Sequence, residues 1–244
     1  MKLSVILPVA NEAHTIGLIL GRVLAVPMEK EIIVVDDGSC DGTWEALQAY
    51  ASVCNLLRHE QNRGKGAAIR TALPHVTGDI VLIQDADLEY DPEDYPRLIE
   101  PIVKGVTDVV YGSRLLNGRS PSAGLTFYLG GRLLTWLANV LYGTHLTDEP
   151  TGYKVFRTKL LRSLPLVSTG FEFCPEVTAL LGRRHVLIVE VPISYHPRSV
   201  AEGKKIRWRD GFLAIWTLIH YRFSRSTQMA ILSKPHHQPA ARHP

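Results

Sequence analysis

Ile80-Val81-Leu82-Ile83-Gln84-Asp85-Ala86-Asp87-Leu88-Glu89 is the stretch from which the rest of the chain is read. Four apolar residues in a row predict a buried strand. The strand runs directly into Asp85 and Asp87, with Glu89 two residues on. In open α/β sheets, ligands bind beyond the carboxyl ends of the strands. If the chain stays extended, carboxylates on alternate residues point to one side. Two or three hard oxygen ligands then stand where a ligand should sit. Mg²⁺ or Mn²⁺ bridging to a diphosphate suits such a set, because these ions take one or two carboxylates plus phosphate oxygens. The simpler alternative is an acidic loop that starts the next helix. Asp91-Pro92-Glu93-Asp94 has the form of a helix start, with Asp91 as cap. That explains Asp91 but leaves Asp85 and Asp87 unexplained.

Outward from this stretch, strands alternate with helices. Residues 3–9 predict a first strand, and a helix follows with Ile16, Leu18, Ile19, Leu20, Val23 and Leu24 as its apolar face. Glu31–Val35 is a second strand, ending in Asp36-Asp37-Gly38-Ser39. A helix through Leu47 and Tyr50, a short strand at 55–59 and a helix at 67–73 lead to the central stretch. A helix over roughly 93–104 and a strand at 108–114 complete the first half. This alternation predicts an α/β fold with a mostly parallel sheet and helices on both faces.

After Arg114 the pattern changes. Asn117–Gly124 is loop-like, and Leu125–Tyr142 carries a helical apolar stripe through positions 129, 133, 137 and 141. Thr147-Asp148-Glu149-Pro150-Thr151-Gly152-Tyr153-Lys154 is a turn rich in hydrogen-bonding groups. Short strands are predicted at Val155-Phe156 and 186–191, and a helix at 171–181. Trp208–Phe223 is apolar and aromatic with basic edges. The tail is Pro- and His-rich and is expected to be disordered.

Composition sets bounds. The chain has 244 residues, 45% hydrophobic and 21% charged, which is an ordinary globular make-up. Cys40, Cys54 and Cys174 show no metal-type spacing and read as free thiols in a reducing compartment. No stretch reaches the roughly 18 uninterrupted apolar residues of a spanning helix. The expected location is cytoplasmic, at most peripheral on the inner face of a membrane. Between His196 and Ser226, Arg198, Lys204, Lys205, Arg207, Arg209, Arg222 and Arg225 face only Glu202 and Asp210. That imbalance fits an anionic partner, or a plain solvated basic face. Trp208, Phe212, Trp216 and Tyr221, interleaved with arginines, fit either core packing or an interfacial helix.

Two phosphate-binding fingerprints are absent: GxGxxG and GxxxxGK[ST]. Arg63-Gly64-Lys65-Gly66 would place cations and amides near a diphosphate, or form a helix-entry turn. A nucleic-acid binder is disfavoured, because the strand tips are acidic and no recognition motif appears. A nucleotidyltransferase would share the two-Asp metal site, but Pro8-Val9-Ala10-Asn11-Glu12 lacks a glycine-rich basic loop for a triphosphate.

Val5–Glu12, Val34–Ser39, Asn62–Ala68, Asp85-Ala86-Asp87, Gly112-Ser113-Arg114, Thr151-Gly152-Tyr153-Lys154 and Arg198–Gly211 come in a telling order. Over roughly residues 3–223 the chain resembles inverting family-2 glycosyltransferases of the GT-A fold. Within them it is similar to the polyprenyl-phosphate mannosyl- and glucosyltransferase branch. The resemblance implies one catalytic domain over 1–230, with a nucleotide-sugar half at 1–115 and an acceptor half at 116–230 ending in amphipathic helices. It implies that Pro8, Ala10, Glu12, Asp36 and Asp37 line the nucleotide pocket, with Lys65, Ala86, Arg198 and Lys204 also on the donor. Asp85, Asp87 and Glu89 are implied as metal ligands, Glu89 standing where mannosyltransferase relatives often carry Gln. Arg114 and Arg132 are implied to receive the acceptor phosphate, joined by Thr151 and Lys154. Arg198 with Lys204 or Lys205 matches a basic segment that closes over the site.

The implied reaction moves a hexose from a GDP- or UDP-sugar to a polyprenyl phosphate, with Mg²⁺ or Mn²⁺. Such a transfer needs the departing diphosphate stabilised, which a metal and cations supply. A phosphate acceptor is already ionised at neutral pH and needs positioning by arginines rather than a general base. A hydroxyl acceptor would need one, and Asp148 and Glu149 are then the carboxylates to check. Relatives often carry C-terminal spanning helices, so attachment here is expected to be peripheral or through a membrane-protein partner.

Overall fold

The computed structural model describes residues 1–116, 118, 124–198 and 208–224. Its centre is a seven-stranded sheet in the order β3-β2-β1-β4-β6-β5-β7. The strands are β1 (Leu3–Val9), β2 (Lys30–Asp36), β3 (Asn55–Arg58), β4 (Ile80–Ile83), β5 (Val109–Ser113), β6 (Lys154–Arg157) and β7 (Ile188–Pro192). The helices are α1 (Ile16–Ala25), α2 (Thr43–Leu47), α3 (Lys65–Ala72), α4 (Tyr95–Val103), α5 (Leu125–Tyr142), α6 (Thr158–Ser163), α7 (Phe173–Arg183) and α8 (Trp208–Phe223).

Alternation along the strands builds two cores. Leu3, Val5, Leu7, Val9, Ile32, Val34, Ile80 and Leu82 face α1 and α4. Ile6, Ile33, Val35, Val81, Ile83, Val109 and Tyr111 face α3, α5, α7 and α8. This is the two-period signature of a strand buried on both sides, with helices covering each face. In α1 the buried stripe is Ile16, Ile19, Leu20 and Val23. Leu18 and Leu24, expected on that stripe, lie on the exposed side, since a 3.6-residue period rotates them away.

Six strands run in one direction, as the alternation predicts. β6 does not: it is inserted antiparallel between β4 and β5. Its direction matters for the site. The residues that precede β6 arrive at the same sheet edge as the residues that follow β4 and β5. The turn 147–153 is thereby placed between the tips of those two strands.

The helix after the carboxylate stretch starts as the sequence predicts. Asp91 caps a 3-10 turn at Pro92–Asp94 by accepting from Glu93 N, and α4 follows. Lys204, Lys205, the Pro/His-rich tail expected to be disordered and most of the 117–124 loop lie outside the described residues.

Candidate active site

A cavity of about 720 Å³ opens at the carboxyl edge of the sheet. Its wall includes Pro8, Ala10, Glu12, Asp37, Lys65, Asp85, Ala86, Asp87, Glu89, Arg114, Arg132 and Arg198. Most residues expected at the site are therefore brought together. Asp36, Thr151 and Lys154 are not part of that wall.

Beyond Ile83 the chain leaves the sheet and turns at Ala86-Asp87, so Asp85 and Asp87 do not continue one extended segment. Leu88 completes that turn with φ +63°, the left-handed region that side chains rarely adopt. The two carboxylates have different partners. Lys65 Nζ lies 2.5 Å from Asp85 Oδ1. Burial opposes the lysine charge, but Asp85 more than offsets it, so the Lys65 pKa is raised. Asp87 Oδ1 accepts from the Glu89 backbone at 3.1 Å, and Arg198 Nη2 stands 3.4 Å from Oδ2. Burial first, then the neighbouring Asp85 and Glu89, push the Asp87 pKa up against the pull of Arg198.

Glu89, expected as a metal ligand, has both carboxylate oxygens engaged by the protein. Tyr195 Oη donates to Oε2 at 2.9 Å and the Arg198 backbone N–H donates to Oε1 at 2.8 Å. Glu89 thereby anchors the segment that follows β7. Arg198 in turn lays its guanidinium on Glu12, with contacts of 3.1 and 3.0 Å. Neither Tyr195 nor this Glu12–Arg198 pair was read from the sequence. The one available signal was that Tyr195 and Arg198 follow a strand at the same sheet edge.

The Arg63–Gly66 turn contributes its lysine, while the amides of Arg63, Gly64 and Gly66 are engaged within the fold. Arg63 and Gly64 N–H groups donate to Asp37 at 2.8 and 2.7 Å. Those of Gly66 and Ala67 donate to the Gly170 and Thr169 carbonyls. Gly64 has φ +95°, and a Cβ there would strike the Thr169 carbonyl, so only glycine lets the two loops meet. His59 Nδ1 completes the hold on Asp37 at 2.7 Å. Asp36 is turned beneath the site. It is fully buried, 3.0 Å from Arg58 and accepting from Ser39 N.

At the other end of the cavity, Arg114 is gripped by Asp148. Nε and Nη2 each donate at 2.7 Å, and the Arg114 backbone N–H adds a bond at 2.9 Å. Burial works against both charges, yet the pairing wins. The Asp148 pKa is lowered and that of Arg114 is raised. Arg132, exposed on α5, donates to the Thr147 carbonyl at 3.3 Å. Glu149 also touches the cavity, fully buried, with its pKa raised by that burial.

Thr151 and Lys154, expected at an acceptor phosphate, lie behind the wall, both fully buried. Lys154 Nζ donates to the Glu149 carbonyl at 2.7 Å and rests 3.6 Å over the Tyr111 ring. A cation so enclosed does not reach a phosphate entering from solvent, and burial lowers its pKa.

The residues fit a hard divalent cation. The donors are carboxylate oxygens, and side-chain cations already stand beside both Asp85 and Asp87. Among the described residues no group of three or more His, Cys, Asp or Glu side chains converges to hold a metal. Asp85 and Asp87 would supply one or two carboxylates and the ligand the remaining oxygens, the pattern of Mg²⁺ on a diphosphate.

This arrangement agrees with what the sequence matches. The family described as Glycosyl transferase family 2 matches residues 4–164. The chain belongs to glycosyl transferase family 2. Similar family-2 relatives include the low-salt glycan biosynthesis hexosyltransferase Agl6 of Haloferax volcanii, 34% identical over 81% of this chain and 48% of the relative. The dolichol-phosphate mannosyltransferase of Pyrococcus furiosus is 30% identical over 84% of this chain and 59% of the relative. The undecaprenyl-phosphate mannosyltransferase of Micrococcus luteus is 30% identical over 84% of this chain and 87% of the relative. The chain thus spans only about half the length of the first two relatives. The fold is shared with glucosyl-3-phosphoglycerate synthase of Mycobacterium tuberculosis. In its complex with phosphoglyceric acid the TM-score is 0.72 at 23% identity, covering 92% of this chain and 79% of the other. Its complex with Mn²⁺, UDP and phosphoglyceric acid aligns with TM-score 0.69 at 21% identity over 96% and 80%. The fold is accordingly GT-A, the mostly parallel sheet with flanking helices that the sequence predicts.

Proposed function

We propose that this family-2 enzyme transfers a hexose from a GDP- or UDP-sugar to a polyprenyl phosphate at a membrane surface, with Mg²⁺ or Mn²⁺. One observation carries the reading. A single cavity joins the Lys65–Asp85–Asp87 end to the Arg114–Arg132 end, and its wall continues onto the apolar residues Phe127, Leu133, Trp208 and Phe212. The first end suits a nucleoside diphosphate, the second an acceptor phosphate, and the apolar wall a lipid tail.

A bound divalent cation would supply electrostatic stabilisation of the departing diphosphate, and Asp87, with Asp85, would hold it. Lys65 places a second positive charge beside that diphosphate. Arg114 is oriented by Asp148, and its fork geometry suits a phosphate oxygen. Arg132 adds charge at the same end. A polyprenyl phosphate is ionised at neutral pH, so no side chain has to remove a proton from it. Asp148 is unsuited to that task in any case, because Arg114 holds it ionised and occupied.

The outer faces of α5 and α8 support a membrane surface. Trp208 is 71% exposed and Trp216 62%, and Phe212, Phe223, Leu129, Leu133, Trp136 and Val140 are exposed with them. Tyr221 faces the core instead. Arg209 and Arg222 belong to the same helix, the mixture of an interfacial helix. Among the described residues no helix is long and apolar enough to cross a membrane. The relatives' names, dolichol-phosphate and undecaprenyl-phosphate mannosyltransferase, point to the same acceptor class.

A saccharide hydroxyl acceptor is the second reading, favoured by Glu149. The residue borders the cavity, and burial raises its pKa toward that of a base. A donor screen separates the two. GDP- and UDP-sugars are supplied with Mn²⁺ and a short polyprenyl phosphate, and nucleoside diphosphate release is read. Release that requires lipid and metal, and collapses in Asp87→Ala, supports the lipid-phosphate reading. Donor binding without lipid-stimulated turnover overturns it.

A further inference from the structure

The two carboxylates that follow β4 are each accompanied by a cation, but the two cations are held very differently. Lys65 opens α3, and its flanking glycines press on the backbone of residues 168–170. It is fixed by the fold, close to Asp85 at 2.5 Å. Arg198 is carried on the segment after β7, tied by its backbone to Glu89. Its two terminal nitrogens are spent chiefly on Glu12, at 3.1 and 3.0 Å. The approach to Asp87, at 3.4 Å, is a looser contact through Nη2, which Glu12 also uses. Arg198 Nε is buried with no hydrogen-bond partner among the described residues. A guanidinium with a buried, unspent donor and a shared third contact is a provisional partner for Asp87.

We propose that Arg198 is a placeholder cation. It covers the face of Asp87 that a divalent metal takes with the donor diphosphate, and it exchanges with that metal while staying paired to Glu12. The inference rests on the metal-dependent donor reading above and adds an antagonism to it. Arg198 and the metal compete for Asp87 in the donor-free enzyme. Glu12 is the residue that makes the exchange easy, since the guanidinium retains two contacts after leaving Asp87. Metal alone meets the arginine as a competitor, whereas metal arriving with a diphosphate brings oxygens that complete its own shell. Donor and metal are therefore expected to bind together, with little metal bound beforehand.

The test is a Mn²⁺ titration of the full-length protein, with free Mn²⁺ read by electron paramagnetic resonance and folding checked by thermal melting. Without nucleotide, Arg198→Gln is expected to bind Mn²⁺ at least about fivefold more tightly than wild type, the lower range of a coupling between sites. Asp87→Asn placed in the Arg198→Gln background is expected to remove that gain. Unchanged or weaker Mn²⁺ binding in Arg198→Gln overturns the inference, as does a gain that survives Asp87→Asn. Wild type with UDP or GDP is the control on the underlying reading. If it binds no Mn²⁺, the metal-dependent reading falls and this inference with it. If it binds Mn²⁺ while Arg198→Gln behaves as wild type without nucleotide, only the placeholder role falls.

Discussion

Arg114 and Asp148 form a two-point ion pair, Nε to Oδ2 and Nη2 to Oδ1, both at 2.7 Å, in a setting that leaves the aspartate only 4% exposed. In the proposed role of Arg114 at the acceptor phosphate its guanidinium has to be held in one orientation, and this pair holds it. Removing one partner leaves an uncompensated charge. Asp148→Asn is expected to cost about 3 kcal/mol, the low end for breaking a buried pair. For a chain of this size that lowers the melting temperature by roughly 6–12 °C. Calorimetry checks it. Lost turnover with an unmoved melting temperature would instead mark Asp148 as a base.

Lys65 should be worth more to the donor than to the fold. Lys65→Met keeps the side-chain volume but leaves Asp85 without its cation. A charge-assisted contact of about 1.5–3 kcal/mol corresponds to roughly 10- to 100-fold weaker binding of nucleoside diphosphate. Isothermal titration with UDP and GDP reads this directly. Binding within twofold of wild type would place the diphosphate elsewhere.

Gly152 sits where a Cβ would strike Asp85 Oδ2 and come within 2.8 Å of the Tyr90 ring. Its N–H also donates to Tyr90 Oη at 2.7 Å. Gly152→Ala is expected to cost about 1–3 kcal/mol through overpacking. It should also weaken Mn²⁺-dependent donor binding, because the atom that must give way is a carboxylate oxygen of the site. A variant that melts lower yet binds donor normally would show that Asp85 has room to move.

Stability should fall in acid through Glu31, at the opposite edge of the sheet. Burial opposes its charge, but bonds from Lys2, Ser4 and Thr77 lower its pKa from 4.5 to about 2. A carboxylate lowered in the folded state contributes stability above its unfolded value, and that contribution is lost as pH falls through the folded one. The window thus runs from about 4.5 down to about 2. Glu31→Gln should be less stable than wild type near pH 6 and converge with it below about pH 2. Parallel slopes of melting temperature against pH over that window would contradict this.

The exposed aromatics of α8 give a prediction separable from folding. Trp208→Glu with Trp216→Glu should leave the melting temperature within a few degrees of wild type, since both side chains are mostly exposed. Binding to vesicles of mixed neutral and anionic lipid should drop at least about tenfold, read by co-sedimentation. Unchanged vesicle binding would remove the α8 face from the membrane reading.

Much of this site was legible because local patterns encode it. The apolar run of β4 followed by Asp85 and Asp87 marks a strand tip, and the strand–helix alternation fixes which edge the tips share. What was not legible is what non-local pairing decides. Lys154 reads as the end of the 147–154 turn and as an acceptor-phosphate residue, but β6 begins with it and enters between two central strands, so that lysine is enclosed. Glu89 reads as a third acid of a metal cluster, yet Tyr195 and Arg198, more than a hundred positions away, claim both its oxygens. Asp148 reads as a base candidate until Arg114 is found beside it. Asp36 and Asp37 are adjacent in sequence, and the alternation of the strand end sends only Asp37 to the cavity.

The reversed β6 has a metrical consequence. β4 ends at the carboxylates and β5 at Arg114, and one strand lies between them. Two inter-strand spacings of about 4.7–4.9 Å each separate the two tips. Under the proposed function, the span from leaving group to incoming nucleophile is then ruled by backbone hydrogen bonds, which no side-chain substitution lengthens or shortens. Point changes in the cavity alter what is held at either end, while the gauge between the ends belongs to the sheet.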